Sequence, residues 1–320
     1  MSNIAEYIRQ LHENERRAYP RTLKPAERGC AFETLRGVRA VVVDIYGTMV
    51  NYWRPGFEER GRREEMLVRA FAEVADRFRM DEVLAKMNPQ DPPAKTLNDF
   101  YNGLIALNHQ KFASKGVEYP EVRVEEVWAV IVMMLKRNGY DAGALVPGGE
   151  AILPRCLAAA YNFFSMGREL YPGVSGALKK LKADNIVLGI LSDAQFYTPI
   201  DLTLYFRDQS GGNIGDYNEL FDVDLTFFSY EYGFVKPAEI LFRRLAEALQ
   251  RYHITPAQTV FAGNDFSADL APAAAIGMRT ALFCGDDIMV FGGGKNTVPD
   301  IVFNSWEELP GLISFHGEEG

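Results

Sequence analysis

Four short stretches of the chain carry residue types that could act together. Asp44 ends an apolar run, Val41-Val42-Val43, and leads straight into Tyr46-Gly47-Thr48. Ser192 closes a second apolar run, "IVLGILS". Lys236 stands between Val235 and Pro237, and Asn264-Asp265 follows Gly263, with Asp269 shortly beyond. Taken singly, an aspartate after a strand usually forms a turn, and a serine there usually caps the next helix. Together and in this order, a carboxylate, a hydroxyl, an ammonium and an Asn-Asp turn make a polar site able to hold a small anionic substrate, if the fold brings them to one place.

The elements that must do so are read from periodicity. "RAVVVD" is the first expected strand, after a polar helix and linker. From residue 54 the pattern becomes helical: Met66, Leu67, Ala70, Phe71, Val74 and Phe78 recur at three- and four-residue spacing. Further helices are expected near 96–115, 123–137 and 149–166, separated by "NPQDPP", "EYPE" and "VPGG". Alternation then resumes. A helix over 174–183 leads to "IVLGILS"; "VDLTFFS", "TVFAGN", "RTALFC" and "DIVFN" follow as strands, with "PAEILFRRLAEALQRY" and "SADLAPAAAIG" as helices between them. The fold class expected is α/β, a doubly wound, Rossmann-like parallel sheet covered on both faces. An all-helical domain interrupts it. The expected divisions are an N-terminal helical extension over 1–38, a sheet domain over 39–53 and 169–320, and a helical domain over 54–168. Ligands of such a sheet bind at the carboxyl ends of its strands, where Asp44, Ser192 and the Gly263-Asn264-Asp265 turn are predicted to lie.

With these motifs in this order, the sequence resembles the haloacid dehalogenase superfamily. "DIYGT" is similar to its first motif, "VLGILSD" to the second, "GFVKP" to the third and "VFAGNDFSADLAPAAAIGM" to the fourth; "LYPGV" resembles the return to the core after a cap. The resemblance spans residue 39 to about 305 and implies that 54–168 is a helical cap. It also implies that Asp44 is a nucleophile forming a covalent aspartyl intermediate. Catalysis would further engage Tyr46, Ser192, Lys236 and Asp269. Gly47, Thr48, Asp193 and Arg54 would contact substrate. Mg2+ would be held by Asp44, the Tyr46 carbonyl and Asn264 or Asp265. If the target is a phosphate, a carboxylate must approach another anion; two unit charges ~4 Å apart repel by about 4 kcal/mol at an effective dielectric near 20, so cations must offset the repulsion.

Two departures shape the reaction expected. Phosphatases of the family carry an aspartate where this chain has Tyr46, and a phenol with pKa near 10 is a poor acid at neutral pH. Asn264 stands where the metal-binding aspartate would be, adding an oxygen but no charge. The reading expected first is Mg2+-assisted hydrolysis of a small phosphorylated metabolite. The 2-haloacid dehalogenases of the family carry tyrosine at the same position, since a departing halide needs no proton and its carbon centre no metal; metal-independent dehalogenation is therefore the alternative. A low-turnover ligand-binding or regulatory member of the fold is the third. Tyr52 and Trp53, just before the helical block, and His109 within it are candidates to line a pocket, although aromatic residues at such spacing more often form core.

Composition narrows the partners. With 48% hydrophobic and 24% charged residues the chain suits a soluble globular protein, and its net charge of −9 disfavours nucleic acid and anionic membranes. Three dispersed cysteines, Cys30, Cys156 and Cys284, and no apolar segment at the N-terminus point to a cytoplasmic protein with reduced thiols.

Overall fold

The computed structural model describes residues 3–14, 23–26, 34–53, 60–143, 145–146, 148–165, 167–292 and 298–315. The chain divides into two units, one of Met1–Pro20 with Trp53–Gly167, the other of Arg21–Tyr52 with Arg168–Gly320.

The first unit is helical: α1 (Asn3–Asn14), α2 (Arg60–Arg77), α3 (Asp81–Met87), α4 (Pro93–Ala113), α5 (Val124–Arg137) and α6 (Leu153–Ser165). Ala70, Phe71 and Val74 of the periodic stripe in α2 are buried, as is Phe78 just beyond it. One ring from each of α2, α4, α5 and α6 meets at the centre: Phe71 stacks on Tyr161 at 4.2 Å, and Tyr101 lies 5.5 Å from Trp128. α4 begins on Pro93, which needs no amide partner in the first turn. α5 carries Glu125 and Glu126 in its first turn and Lys136 and Arg137 in its last, matching the helix dipole at both ends. α1 packs on α6, with His12 edge-on to Phe163 at 5.2 Å. Among the described residues no helix is long and apolar enough to cross a membrane.

The second unit is built on β1 (Ala40–Val43), β2 (Val50–Trp53), β3 (Gly167–Leu170), β4 (Val187–Ser192), β5 (Thr226–Phe228), β6 (Thr259–Gly263), β7 (Arg279–Phe283) and β8 (Ile301–Phe303). A six-stranded sheet has the order β5-β4-β1-β6-β7-β8, every neighbouring pair parallel. The continuous apolar runs follow from burial of both faces. Val41 and Val43 pack with Leu178 and Leu181 of α7 (Val174–Ala183) and with Leu202 and Phe206 of α8 (Thr198–Gln209). Ala40 and Val42 face the other way, into a cluster with Leu241, Phe242 and Leu245 of a longer helix at Glu239–Arg251. Fully burying one such side chain contributes roughly 1.5–3 kcal/mol.

The chain lays β4 and β5 to one side of β1, then crosses to lay β6, β7 and β8 on the other. Val43 is in register with Ile190 of β4 and Ala262 of β6. One step on, Asp44 leaves the sheet where these three central strands end together, at the point where strand order reverses.

Two features depart from the periodic reading. β2 and β3 pair as a separate two-stranded sheet, so residues 167–168, assigned above to the helical block, are strand. Neither "VNYW" nor "GREL" is a continuous apolar run, so the pattern that marks the other strands is missing there. The helix expected over "SADLAPAAAIG" opens as a single π turn, Phe266–Leu270, before α-helical Ala271–Ala275.

Candidate active site

Asp44 sits on a tight turn fixed by its backbone. Its N–H donates to the Ala262 carbonyl at 2.9 Å, extending the sheet by one residue. The Ile45 carbonyl then accepts from Thr48, Met49 and Val50 at 3.3, 2.9 and 2.8 Å. Gly47 turns the chain at φ +87°, and a Cβ there would run into the Asn264 side chain, with the amide carbon only 2.9 Å away. Both the conformation and the space demand glycine. Gly47→Ala should therefore cost about 2–4 kcal/mol of stability. Urea unfolding checks this, and a loss under about 0.5 kcal/mol would show that the turn and Asn264 relax without strain.

A buried three-charge cluster occupies the strand ends. Asp44, Lys236 and Asp269 are 4%, 8% and 1% exposed, and the one ammonium is shared by the two carboxylates. Lys236 Nζ lies 2.6 Å from Asp44 Oδ1 and also pairs with Asp269 Oδ1. The other Asp269 oxygen accepts the N–H groups of Asn264 and Asp265 at 3.1 and 3.0 Å. Gly263 permits this approach, since a Cβ would overlap the Asp269 side chain. Asp193 anchors the lysine loop by accepting the Lys236 N–H at 2.8 Å. Burial works against the Lys236 ammonium, but Asp269, Asp44 and Asp193 outweigh it and hold the group protonated, above its ordinary range. Burial raises the Asp269 carboxyl, Lys236 opposes, and Asp44 adds to the rise; the net direction is up. Burial likewise raises Asp193 against the pull of Lys236. Ser192, 1% exposed, accepts the Ile45 N–H at 3.4 Å and so faces the turn below Asp44.

The Tyr46 hydroxyl has a partner outside this ion cluster. It lies 2.8 Å from Thr198 Oγ1 at the start of α8. The Arg168 guanidinium stands over its ring at 5.1 Å from the centroid, and pairs with buried Asp201 at 3.7 Å. Burial raises the phenol pKa more than Arg168 lowers it, so Tyr46 is a neutral phenol near pH 7. Arg168 was not singled out in the sequence. An arginine in a four-residue strand, with no motif around it, offers no signal until the fold stacks it on Tyr46.

The side-chain oxygens expected to hold Mg2+ make hydrogen bonds within the protein. Thr48 Oγ1 donates toward Asp44 Oδ2 at 3.3 Å and Asn264 Oδ1 at 2.9 Å, so one hydroxyl proton stands between the two oxygens that would hold the ion. The Asn264 amide nitrogen is engaged by the Met289 carbonyl. Asp265 Oδ1 accepts the Ser267 and Ala268 N–H groups at 2.7 and 2.9 Å, capping the π turn. Asp44 is paired with Lys236, so a Mg2+ ion, which binds through carboxylates, would share Asp44 with the ammonium. Among the described residues no three His, Cys, Asp or Glu side chains cluster to hold a metal ion.

Of the residues singled out in the sequence, the fold brings Asp44, Thr48, Ser192, Asp193, Lys236, Asn264 and Asp269 together through the contacts above. Arg54 lies outside the described residues, as do the side chains of Tyr52 and Trp53, and His109 is exposed on α4.

A family model described as a hydrolase, haloacid dehalogenase-like hydrolase, matches residues 38–277. No curated protein sequence matches the chain. Among solved structures, a 2-haloacid dehalogenase from Pseudomonas syringae pv. Tomato DC3000 is 18% identical, with 86% of this chain and 97% of that chain covered and a TM-score of 0.50. A HAD phosphatase from Thermococcus onnurineus is 16% identical, with 85% and 96% covered and a TM-score of 0.46. At 18% identity the likeness to the dehalogenase is one of fold.

Proposed function

The chain belongs to the haloacid dehalogenase-like hydrolases, and on that premise we propose that Asp44 is the nucleophile of a metal-independent hydrolysis whose leaving group departs without a proton, as in a 2-haloacid dehalogenase. The observation that carries this reading is the setting of Tyr46. At the position where alkyl leaving groups would be protonated stands a neutral phenol turned onto Thr198. A departing halide needs no acid there.

In this reading Asp44 attacks the carbon that bears the halogen, an ester forms, and the halide leaves with the bonding electrons. Water then adds to the ester carbonyl and gives up a proton; the bond from that carbon to the substrate's oxygen breaks, the 2-hydroxy acid leaves with a proton on its new hydroxyl, and the Asp44 carboxylate returns carrying one oxygen from water. Lys236 holds Asp44 in line and offsets the charge of an anionic substrate. Asp269, paired with the same ammonium and raised by burial, would take the proton from water. Ser192 and the 45–48 turn would bind the substrate's oxygens. The helical unit would act as the cap, and its residues would set the substrate.

The test is to assay halide release from short 2-haloacids and phosphate release from alkyl phosphates, each with Mg2+ and with chelator. Halide release that persists in chelator is the expected result. Phosphate release that requires Mg2+, rising by about 10²-fold in Tyr46→Asp as the missing acid is supplied, would overturn the reading and favour a magnesium-assisted phosphatase.

A further inference from the structure

α5 is apolar on two opposite sides. Val127, Trp128, Ile131, Val132 and Leu135 are buried within the helical unit. Facing outward, Val130 and Met133 remain 37% and 44% exposed, with Ala129 exposed and Met134 half-buried beside them. A helix that is apolar all round is normally covered on every side. Glu126 and Arg137 are exposed on the same outer side. Glu126, Val130, Met133 and Arg137 follow one another at steps of four, three and four residues, the spacing of a seam between two packed helices. Glu126 lies 3.8 Å from Arg123, an exposed pair of little strength that leaves it able to take another partner.

We propose that this seam pairs with the same seam of a second copy of the chain, the two α5 helices antiparallel about a two-fold axis. Charge complementarity selects the partner and the direction. The acidic end of the seam is Glu126 and the basic end Arg137, so an antiparallel copy sets each glutamate against an arginine, whereas a parallel copy would set like against like. In that single register Val130 meets Met133 of the second copy, twice about the axis, while Ala129 and Met134 flank the seam on opposite sides, each beside its own counterpart. Such self-complementarity is what a two-fold contact between identical surfaces requires. Helices of this spacing cross at about 20°.

Sedimentation equilibrium of the full chain over a range of concentrations tests the proposal. A reversible dimer is expected. Val130→Glu and Met133→Glu should be monomers with unchanged far-ultraviolet circular dichroism and thermal unfolding, because both positions are exposed. Glu126→Arg should raise the dissociation constant by about tenfold or more, since it places like charges together twice about the axis. The double variant Glu126→Arg/Arg137→Glu should restore wild-type dimerisation by reversing both charges. A monomer at the highest soluble concentration would overturn the proposal. So would a dimer that persists in Met133→Glu, or a double variant as weak as Glu126→Arg alone.

Discussion

Asp44→Asn is expected to remove turnover, by on the order of 10⁴-fold or more, the scale on which enzymes lose a covalent nucleophile. The amide is nearly isosteric and keeps one oxygen to accept from Lys236, while Thr48 still donates to Asn264. It cannot open a covalent path, because it lacks the charge that attacks. The fold should survive: Lys236 retains Asp269 as its counter-ion, and the turn is held by the Ile45 carbonyl and by the Asp44 N–H, which the substitution leaves in place. Steady-state kinetics beside thermal unfolding separate the two effects. A folded variant keeping more than about a tenth of wild-type turnover would show that another group attacks the substrate.

Lys236→Met should damage stability and activity together. The methionine fills the channel of the lysine stem but leaves Asp44 and Asp269 buried with no cation between them. Breaking a buried ion pair on one side costs about 3–5 kcal/mol. Activity should fall by about 10²-fold or more, since the ammonium both aims Asp44 and balances substrate charge. The stability loss has a pH signature. Burial already raises Asp269 above its ordinary 3.8, and removing Lys236 deletes the main opposing influence. A carboxyl raised in the folded state holds a proton that the unfolded chain releases. Stability therefore falls as pH rises from about 4 toward the raised value. The variant should be markedly more stable at pH 5 than at pH 8, with a smaller difference in wild type. Urea unfolding at the two pH values measures it. Equal unfolding free energies at both would mean that the carboxylates have moved apart into solvent. Adding Asp269→Asn should recover part of the stability at pH 8 without recovering turnover.

Much of this site was legible before any fold was known. Asp44, Ser192 and the Gly263-Asn264 turn each end a continuous apolar run, and such runs mark strands buried on both faces whatever their neighbours are. The six strands and most of the helices follow from the same local patterning, because side-chain period is a property of a few consecutive residues. Glycine at 47 could be read as a turn.

What the chain does with these pieces was decided in three dimensions. Strand order brings Lys236 and Asp44, 192 positions apart, to one ion pair. It also turns Thr48 toward Asn264 and lays Arg168 over Tyr46. None of these has a local signature. A hydroxyl, an amide or a guanidinium takes whichever partner lies within about 3 Å once the sheet is assembled. That choice depends on which strands become neighbours, through crossovers packed on both faces, and not on the residues beside it in sequence.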